Sequence, residues 1–371
     1  MGVNGAQEVF FAILIIFSGL YLISKKGNVL LLEFAVFAIP FAMLLLSALL
    51  AEFRYGQPVI YGIAEFRRVL AILIFFPLIH GLKVGYVTKG DILKWLKLIA
   101  IVLGVLNVFV GASGGLELSQ DSFERVGIGQ HFVALGAILF FFDWISGREK
   151  SALASYFFLL IVLLLVIQTR QIVIATIIAS LFLMEIRGKS TVFFAVLIII
   201  FLISLSFESV SSSLASRIPR VTELINGSDE LSDSARGNAV RAIFQVFKES
   251  GWALGYGGLY VNWNDGFKYY FGPNFILADV GLLGSVFRFG FAGVLIFLGY
   301  LYFQVKYIRS ISDRAVKRIC IAVFIQLLVM SPVASILDYR GHVAGVLLAL
   351  SCSLRKRDSL SGGQSGLQRE L

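Results

Sequence analysis

Residues 153–208 read LASYFFLLIVLLLVIQTRQIVIATIIASLFLMEIRGKSTVFFAVLIIIFLISLSFE. The charges in this stretch are Arg170, Glu185, Arg187, Lys189 and Glu208, and two short polar breaks divide it into apolar runs at 153–168, 171–187 and 191–208. Crossing about 30 Å of hydrocarbon takes roughly 20 helical residues, so each run approaches the length of a span. A water-soluble core does not need such runs in succession, and the solvent for these side chains is lipid or other buried helices.

The rest of the chain repeats the pattern. Of 371 residues 58% are hydrophobic, 14% aromatic and only 15% charged, a balance outside that of ordinary soluble domains. Further spans are predicted near 8–24, 28–50, 59–79, 92–113, 128–146, 277–305, 316–337 and 341–354, which makes about eleven in all. The run at 277–305 is long enough to break into an interfacial piece and a span. The first run lacks a small-residue cleavage pattern and is followed at once by Lys25 and Lys26, so it reads as a retained helix. The net charge of +9 sits in short loops between apolar segments, where it orients the chain, and nucleic-acid binding is excluded as a reading. Cys320 and Cys352 lie in apolar stretches without metal-ligand spacing and read as buried thiols.

Orientation follows from where Lys and Arg collect. With the N-terminus outside, the inner loops hold Lys25, Lys26, Lys83, Lys89, Lys94, Lys97, Arg148, Lys150, Arg187, Lys189, the cluster Lys306 to Arg318, and Arg355 to Arg357. The opposite orientation breaks the positive-inside rule at nearly every turn. The expectation is an all-α polytopic membrane protein, N-out and C-in, with one integral domain over 1–357 and a disordered cytoplasmic tail at 358–371. A large outer loop at 209–273 carries an amphipathic helix near 234–250, in which Val240, Ile243, Phe244 and Phe247 recur at helical spacing. Gly255-Tyr256-Gly257-Gly258 then makes a turn.

In this topology the informative residues are the arginines that orientation does not explain. Arg54, Arg125, Arg170 and Arg340 stand in short outer loops, and Arg67, Arg68 and Arg288 lie within or beside apolar segments, where a charge is expensive. Arg236 and Arg241 join them from the loop helix. Local acids offer a simpler account of several: Glu52 for Arg54, Glu65 for Arg67 and Arg68, Asp338 for Arg340, and Asp121 or Glu124 for Arg125. Arg170 and Arg288 have no such neighbour. A guanidinium matches phosphate oxygens in a bidentate way, so a lipid-linked phosphate or pyrophosphate is the natural counter-ion for the set. Asp279 is the best-placed carboxylate, either as a proton acceptor from a sugar hydroxyl or as a partner of Arg288. His80, His131 and His342 are far apart in sequence and read as isolated packing residues. No metal-binding pair of carboxylates stands in an outer loop.

The order of these features resembles the O-antigen polymerase and O-antigen ligase superfamily. Thr169-Arg170-Gln171 opens an apolar helix, and Ser234-Ala235-Arg236 with Arg241 follows in the large loop. Gly255-Tyr256-Gly257 comes next, and Asp279-Val280-Gly281-Leu282-Leu283-Gly284 leads into a span. The likeness runs from about Gly129 to Phe297. Where ligases carry a His-Asn pair before the Gly-x-x-Gly segment, this chain has Tyr270-Phe271-Gly272-Pro273-Asn274, which favours a polymerase. The resemblance implies a metal-independent, inverting glycosyltransferase of GT-C-like architecture in the bacterial inner membrane, acting at the periplasmic face. Its substrates would be undecaprenyl-pyrophosphate-linked oligosaccharides, with a chain-length-regulating protein as partner and no cofactor. Arg170, Arg236, Arg241 and Asp279 would be catalytic. Arg125, Arg288, Arg340, Arg54, Arg67 and Arg68 would hold lipid pyrophosphate, and Trp252, Tyr256, Trp263 and Tyr270 would face glycan. A ligase that moves finished glycan to a lipid A core or a protein, and a non-catalytic lipid or polysaccharide transporter, are the alternatives.

Overall fold

A computed structural model describes residues 5–25, 30–112, 128–167, 170–184, 235–250, 253–272, 275, 277–332 and 336–353. The predicted span at 191–208, Arg125, Trp252 and the tail at 358–371 lie outside them.

The described chain is all-helical: α1 (Gly5–Ser24), α2 (Leu31–Tyr55), α3 (Val59–Phe66), α4 (Phe75–Val84), α5 (Lys89–Ala112), α6 (Gln130–Ile145), α7 (Ala152–Ile161) and α8 (Arg170–Leu181). After the outer-loop helix α9 (Ala235–Ser250) come α10 (Phe267–Phe271), α11 (Gly281–Phe289), α12 (Phe291–Arg309), α13 (Arg314–Met330) and α14 (Ile336–Ser353). Four helical stretches, Gln7–Ser24, Leu31–Tyr55, Lys89–Val110 and Phe291–Arg309, are long and apolar enough to cross a membrane, and four shorter apolar helices pack with them. α1 shows why lipid is the solvent. It turns Phe11, Leu14, Ser18 and Tyr21 inward, yet Val9, Ile13, Ile16, Leu20 and Ile23 on its other face remain exposed, an apolar stripe that water would not tolerate on a stable monomer.

The predicted span at 59–79 is not one helix. It is α3, then a 3-10 stretch at Arg67–Ile74, then α4. Runs of 3-10 helix this long are uncommon, and the cause lies in a distant segment. The packing of this stretch on α14 is the densest between any two elements described. Gly341 and Gly345 of α14 let the two backbones meet: a Cβ at Gly345 would lie 2.5 Å from the Ile72 carbonyl oxygen, and one at Gly341 would lie 3.1 Å from the Ile72 nitrogen. This is the small-xxx-small contact of membrane helices, made here against a tightened coil.

The long run at 277–305 divides into a 3-10 turn at Leu277–Val280, α11 and α12. The division falls at Gly290, whose φ of +63° and ψ of −143° suit only glycine and whose Cβ would meet the Ala253 carbonyl oxygen at 2.4 Å. Between α7 and α8 the chain passes through a π-helical turn at Val162–Val166.

Most buried apolar side chains form one cluster along the bundle. A second, aromatic cluster gathers Ala239, Ile243, Tyr256, Phe267, Phe275 and Phe287 around Ala51 near the end of α2. α9 contributes Ala239 and Ile243 as its buried face, with Val240, Val246 and Phe247 partly covered, while Phe244 points outward at 55% exposure. Phe244 therefore does not share the face that its spacing predicts.

Side-chain contacts sort the helix termini into two groups, which mark the two ends of the bundle. One holds the start of α2 and the ends of α1, α4 and α6; the other holds the end of α2 and the starts of α3, α6, α8 and α14.

Candidate functional site

The candidate site is built at the second end, where the loop after α9 is locked onto α2 and α11. The Tyr256 N–H donates to the Phe287 carbonyl and the Gly257 N–H to that of Arg288, both at 2.9 Å. Side chains would forbid this approach: a Cβ at Gly255 would lie 2.2 Å from the Arg288 carbonyl oxygen, and one at Gly257, whose φ is +73°, would lie 2.4 Å from that of Ser47. The Gln57 amide completes the lock, donating to the Gly258 carbonyl at 3.1 Å and accepting from the Tyr260 N–H at 2.8 Å.

This lock places two of the arginines. The Arg54 guanidinium lies over the Tyr256 ring, 4.4 Å from its centroid, in place of a pair with Glu52. Arg288 is 5% exposed, stacks on Phe66 at 4.5 Å and faces the Glu65 carboxylate at 3.7 Å. Glu65 thus reaches Arg288 from another helix, a partner that sequence proximity did not suggest. Arg67 instead reaches Glu8 of α1 at 2.7 Å and donates to the Ala64 carbonyl, and Arg68 is exposed. The sequence offered Asp279 as a partner for Arg288; the partner described is Glu65.

Arg340 has the most unusual setting. It lies in α14 at a non-helical φ of −129° and ψ of 16°, and it is 2% exposed. Its Nε and Nη1 have no hydrogen-bond partner among the described residues, and neither has Nε2 of His342. The His342 ring packs on Phe132 at 4.7 Å and lies 6.0 Å from the ring of His131, and the Arg340 charge acts on both imidazoles. The reading of these two histidines as isolated is therefore corrected: α6 and α14 bring them together beside Arg340. Nothing in the sequence except the adjacency of Arg340 and His342 signals this group.

Arg170 is the first residue of α8, Arg236 lies in the first turn of α9, and Asp279 lies in the 3-10 turn before α11. The side chains of these three, and that of Asp338, lie outside the described residues. Arg241 is exposed on α9. Among the aromatics, Tyr256 is committed to packing, stacked on Phe287 at 4.9 Å. Trp263 is partly buried against the aromatic cluster, and Tyr270 is 40% exposed beside Tyr55. Among the described residues no three His, Cys, Asp or Glu side chains come together in a way that would hold a metal ion.

The opposite end handles charge differently. Glu33 is 1% exposed and its carboxylate is fully engaged. It accepts from Lys25 at 2.6 Å, from Lys83 and the Tyr21 hydroxyl at 2.9 Å each, and from the Leu30 N–H at 3.1 Å. Asp143 likewise takes Lys97 directly and Arg148 at 3.8 Å.

No family model matches this chain, and no curated protein matches it.

Proposed function

We propose that this chain is a polysaccharide repeat-unit polymerase resembling the O-antigen polymerases, with about eleven spans, the Arg288 end facing the periplasm and the Glu33 end facing the cytoplasm. One observation carries the reading: among the described residues, the cations drawn into packed surroundings at the Arg288 end, Arg54, Arg67, Arg288 and Arg340, are all arginines. Guanidinium is the cation suited to a diphosphate, because its fixed fork holds two oxygens where an ammonium holds one.

In the proposed reaction the anomeric carbon of a growing glycan leaves its lipid pyrophosphate. A hydroxyl of the terminal sugar on a second lipid-linked repeat unit attacks from the opposite face, with inversion. The new glycosidic bond forms as the bond to the pyrophosphate oxygen breaks, and the hydroxyl proton passes to a base, for which Asp279 is the candidate. Negative charge grows on the departing oxygen, and fixed guanidiniums aimed there lower the barrier without reorganising. Arg170 and Arg236 take that role with help from Arg241, while Arg54, Arg67, Arg68, Arg125, Arg288 and Arg340 hold the diphosphates of donor and acceptor. Trp252, Trp263 and Tyr270 offer ring faces to sugars.

The glycan profile of a strain lacking the protein, beside the complemented strain, tests the class. A polymerase leaves a single repeat unit on the final acceptor, a ligase leaves long chains on the lipid carrier, and an unchanged chain-length distribution rejects both. Arg170→Ala or Arg236→Ala should reproduce the polymerase-null profile at matched membrane levels, and lysine at either position should rescue poorly.

A further inference from the structure

The 3-10 stretch Arg67–Ile74 is required by nothing in its own residues. Between Phe66 and Phe76 there is neither glycine nor proline, and Leu70, Ala71 and Leu73 are strong helix formers. The buried residues Phe66, Val69, Leu70, Leu73 and Phe76 recur at α-helical spacing. The same side chains also fill two columns of a 3-10 helix, where residues three apart eclipse: Phe66, Val69, Ile72 and Phe75 in one, and Leu70, Leu73 and Phe76 in the next. One sequence therefore buries its apolar side chains in either form, and the choice between them is made from outside. Gly341 and Gly345 of α14 make it by bringing their backbone against the Ile72 peptide group, and Arg340 takes its non-helical φ and ψ beside that contact. Elsewhere Val69 and Ile72 line a crevice with Pro40 and Met43 of α2 and Tyr300 and Phe303 of α12, which leaves space beside the stretch. Pro77, which lacks an N–H, sits in the first turn of α4 and marks where the stretch ends in both forms.

We propose that Arg67–Ile74 is a two-state element, 3-10 in the form described and α-helical in the other, which slides α3 at the mouth of the bundle. Eight residues span about 4 Å less as α-helix than as 3-10 helix, and turn through about 160° less. α4 is held at the Glu33 end by the ion pair of Lys83 with Glu33, so the shortening falls on α3. α3 can take it, because Gly62 lies so close to α2 that a Cβ there would stand 2.6 Å from the Ala48 Cα, a smooth contact without interlocking side chains. α3 carries Glu65, 3.7 Å from Arg288, and Tyr61, stacked on Tyr260 at 5.9 Å. The α-helical form withdraws both. Arg67, paired with Glu8 of α1, is a second latch on the extended form. The 3-10 form is thus a mouth closed by its own acid on Arg288, and the α-helical form is an open one. The switch follows from packing and helix geometry, and only what an open mouth admits rests on the reading above.

The test measures a distance without sugar transfer, so it fails separately from the polymerase reading. The full-length protein in lipid nanodiscs, with Cys320→Ala and Cys352→Ala, is spin-labelled at Ile60→Cys on α3 and Tyr86→Cys after α4, two exposed positions that flank the stretch. Pulsed electron resonance then gives the distance between the labels, which the α-helical form brings about 4 Å closer. The longer distance should dominate when nothing else is changed. Gly345→Ala pushes α14 off Ile72 and Glu65→Gln releases the acid from Arg288, and each should move the distribution toward the shorter distance. Shortening in either variant supports the switch, so Glu65→Gln keeps the test open if Gly345→Ala does not fold. Ile23→Cys with Tyr86→Cys is the control pair, since both positions lie on the Glu33 side of the stretch and should keep their spacing. The proposal is overturned if neither variant shortens the distance from Ile60 to Tyr86. It is equally overturned if the control pair shifts along with it, which would show general loosening of the bundle.

Discussion

Two buried charges, at opposite ends of one bundle, are treated in opposite ways. Glu33 is surrounded by two ammonium groups, a phenol and a backbone N–H, all on α1, α2, α4 or the adjoining turns. The Nε and Nη1 of Arg340 have no hydrogen-bond partner among the described residues, and its neighbours His131 and His342 carry no negative charge. A carboxylate whose lone pairs are filled by the protein has nothing left to offer a ligand. A guanidinium whose hydrogens remain unspent does. The Glu33 end is thus a closed structural joint that ties three helices together, whereas at the opposite end the Arg340 guanidinium has donor atoms with no described acceptor.

The largest effect that sharpens this contrast is expected from Glu33→Gln. It leaves Lys25 and Lys83 facing one another without their acid, and breaking a buried pair from one side costs about 3 kcal/mol or more. A clear drop in the thermal midpoint is expected, with the proposed sugar-transfer activity per folded molecule unchanged. If activity fell while the midpoint held, the division into a structural end and a working end would be wrong.

Gly345→Ala should come next. The added methyl would meet the Ile72 carbonyl oxygen at 2.5 Å, and forcing α14 off the 3-10 stretch costs about 2 kcal/mol. Because Arg340 adjoins this contact, the variant should also lose part of the proposed diphosphate affinity, a loss that Glu33→Gln should not show. Equal affinity in the two variants would disconnect the glycine contact from the arginine.

These two residues also mark what the sequence makes legible. Apolar runs located nearly every described helix, and the amphipathic helix near 234–250 was readable because both signals are local. The break of 59–84 into three pieces was not, since it is imposed by glycines more than 250 residues away in the chain. The arginine partners escaped for the same reason. Sequence neighbours suggested Glu52 for Arg54 and Glu65 for Arg67, whereas the fold supplies a Tyr256 ring and Glu8. The meeting of His131 with His342 depends on how α6 and α14 are brought together, and no periodicity in either helix encodes it.

A smaller effect is expected at the mouth. Arg54→Ala removes a stacked cation from Tyr256, a contact worth about 0.5 to 1 kcal/mol near the surface. The midpoint should shift little while chain length shortens, if Arg54 holds diphosphate. A full-length product distribution at a normal midpoint would assign Arg54 to packing alone.

The smallest effect, and the finest probe of the closed end, is Tyr21→Phe. The phenol donates to Glu33 at 2.9 Å and accepts from Lys83 at 3.2 Å, so it links the carboxylate to one of its ammonium groups. Removing it takes one of four donor groups from Glu33 and leaves the ring packed against Phe76 and His80. A hydrogen bond to a charged acceptor contributes about 1.5 kcal/mol or more, but two ammonium groups and the Leu30 N–H remain and can tighten on the carboxylate, so the net fall in the midpoint should be less than a third of the drop seen for Glu33→Gln. Combining the two substitutions separates cooperation from simple addition. If the Glu33 network is the closed joint described here, Tyr21→Phe should cost almost nothing once Glu33 is already Gln, because the phenol then loses its charged acceptor. Additive losses would mean that the hydroxyl stabilises the joint through the hydrogen bond it accepts from Lys83, independently of the carboxylate.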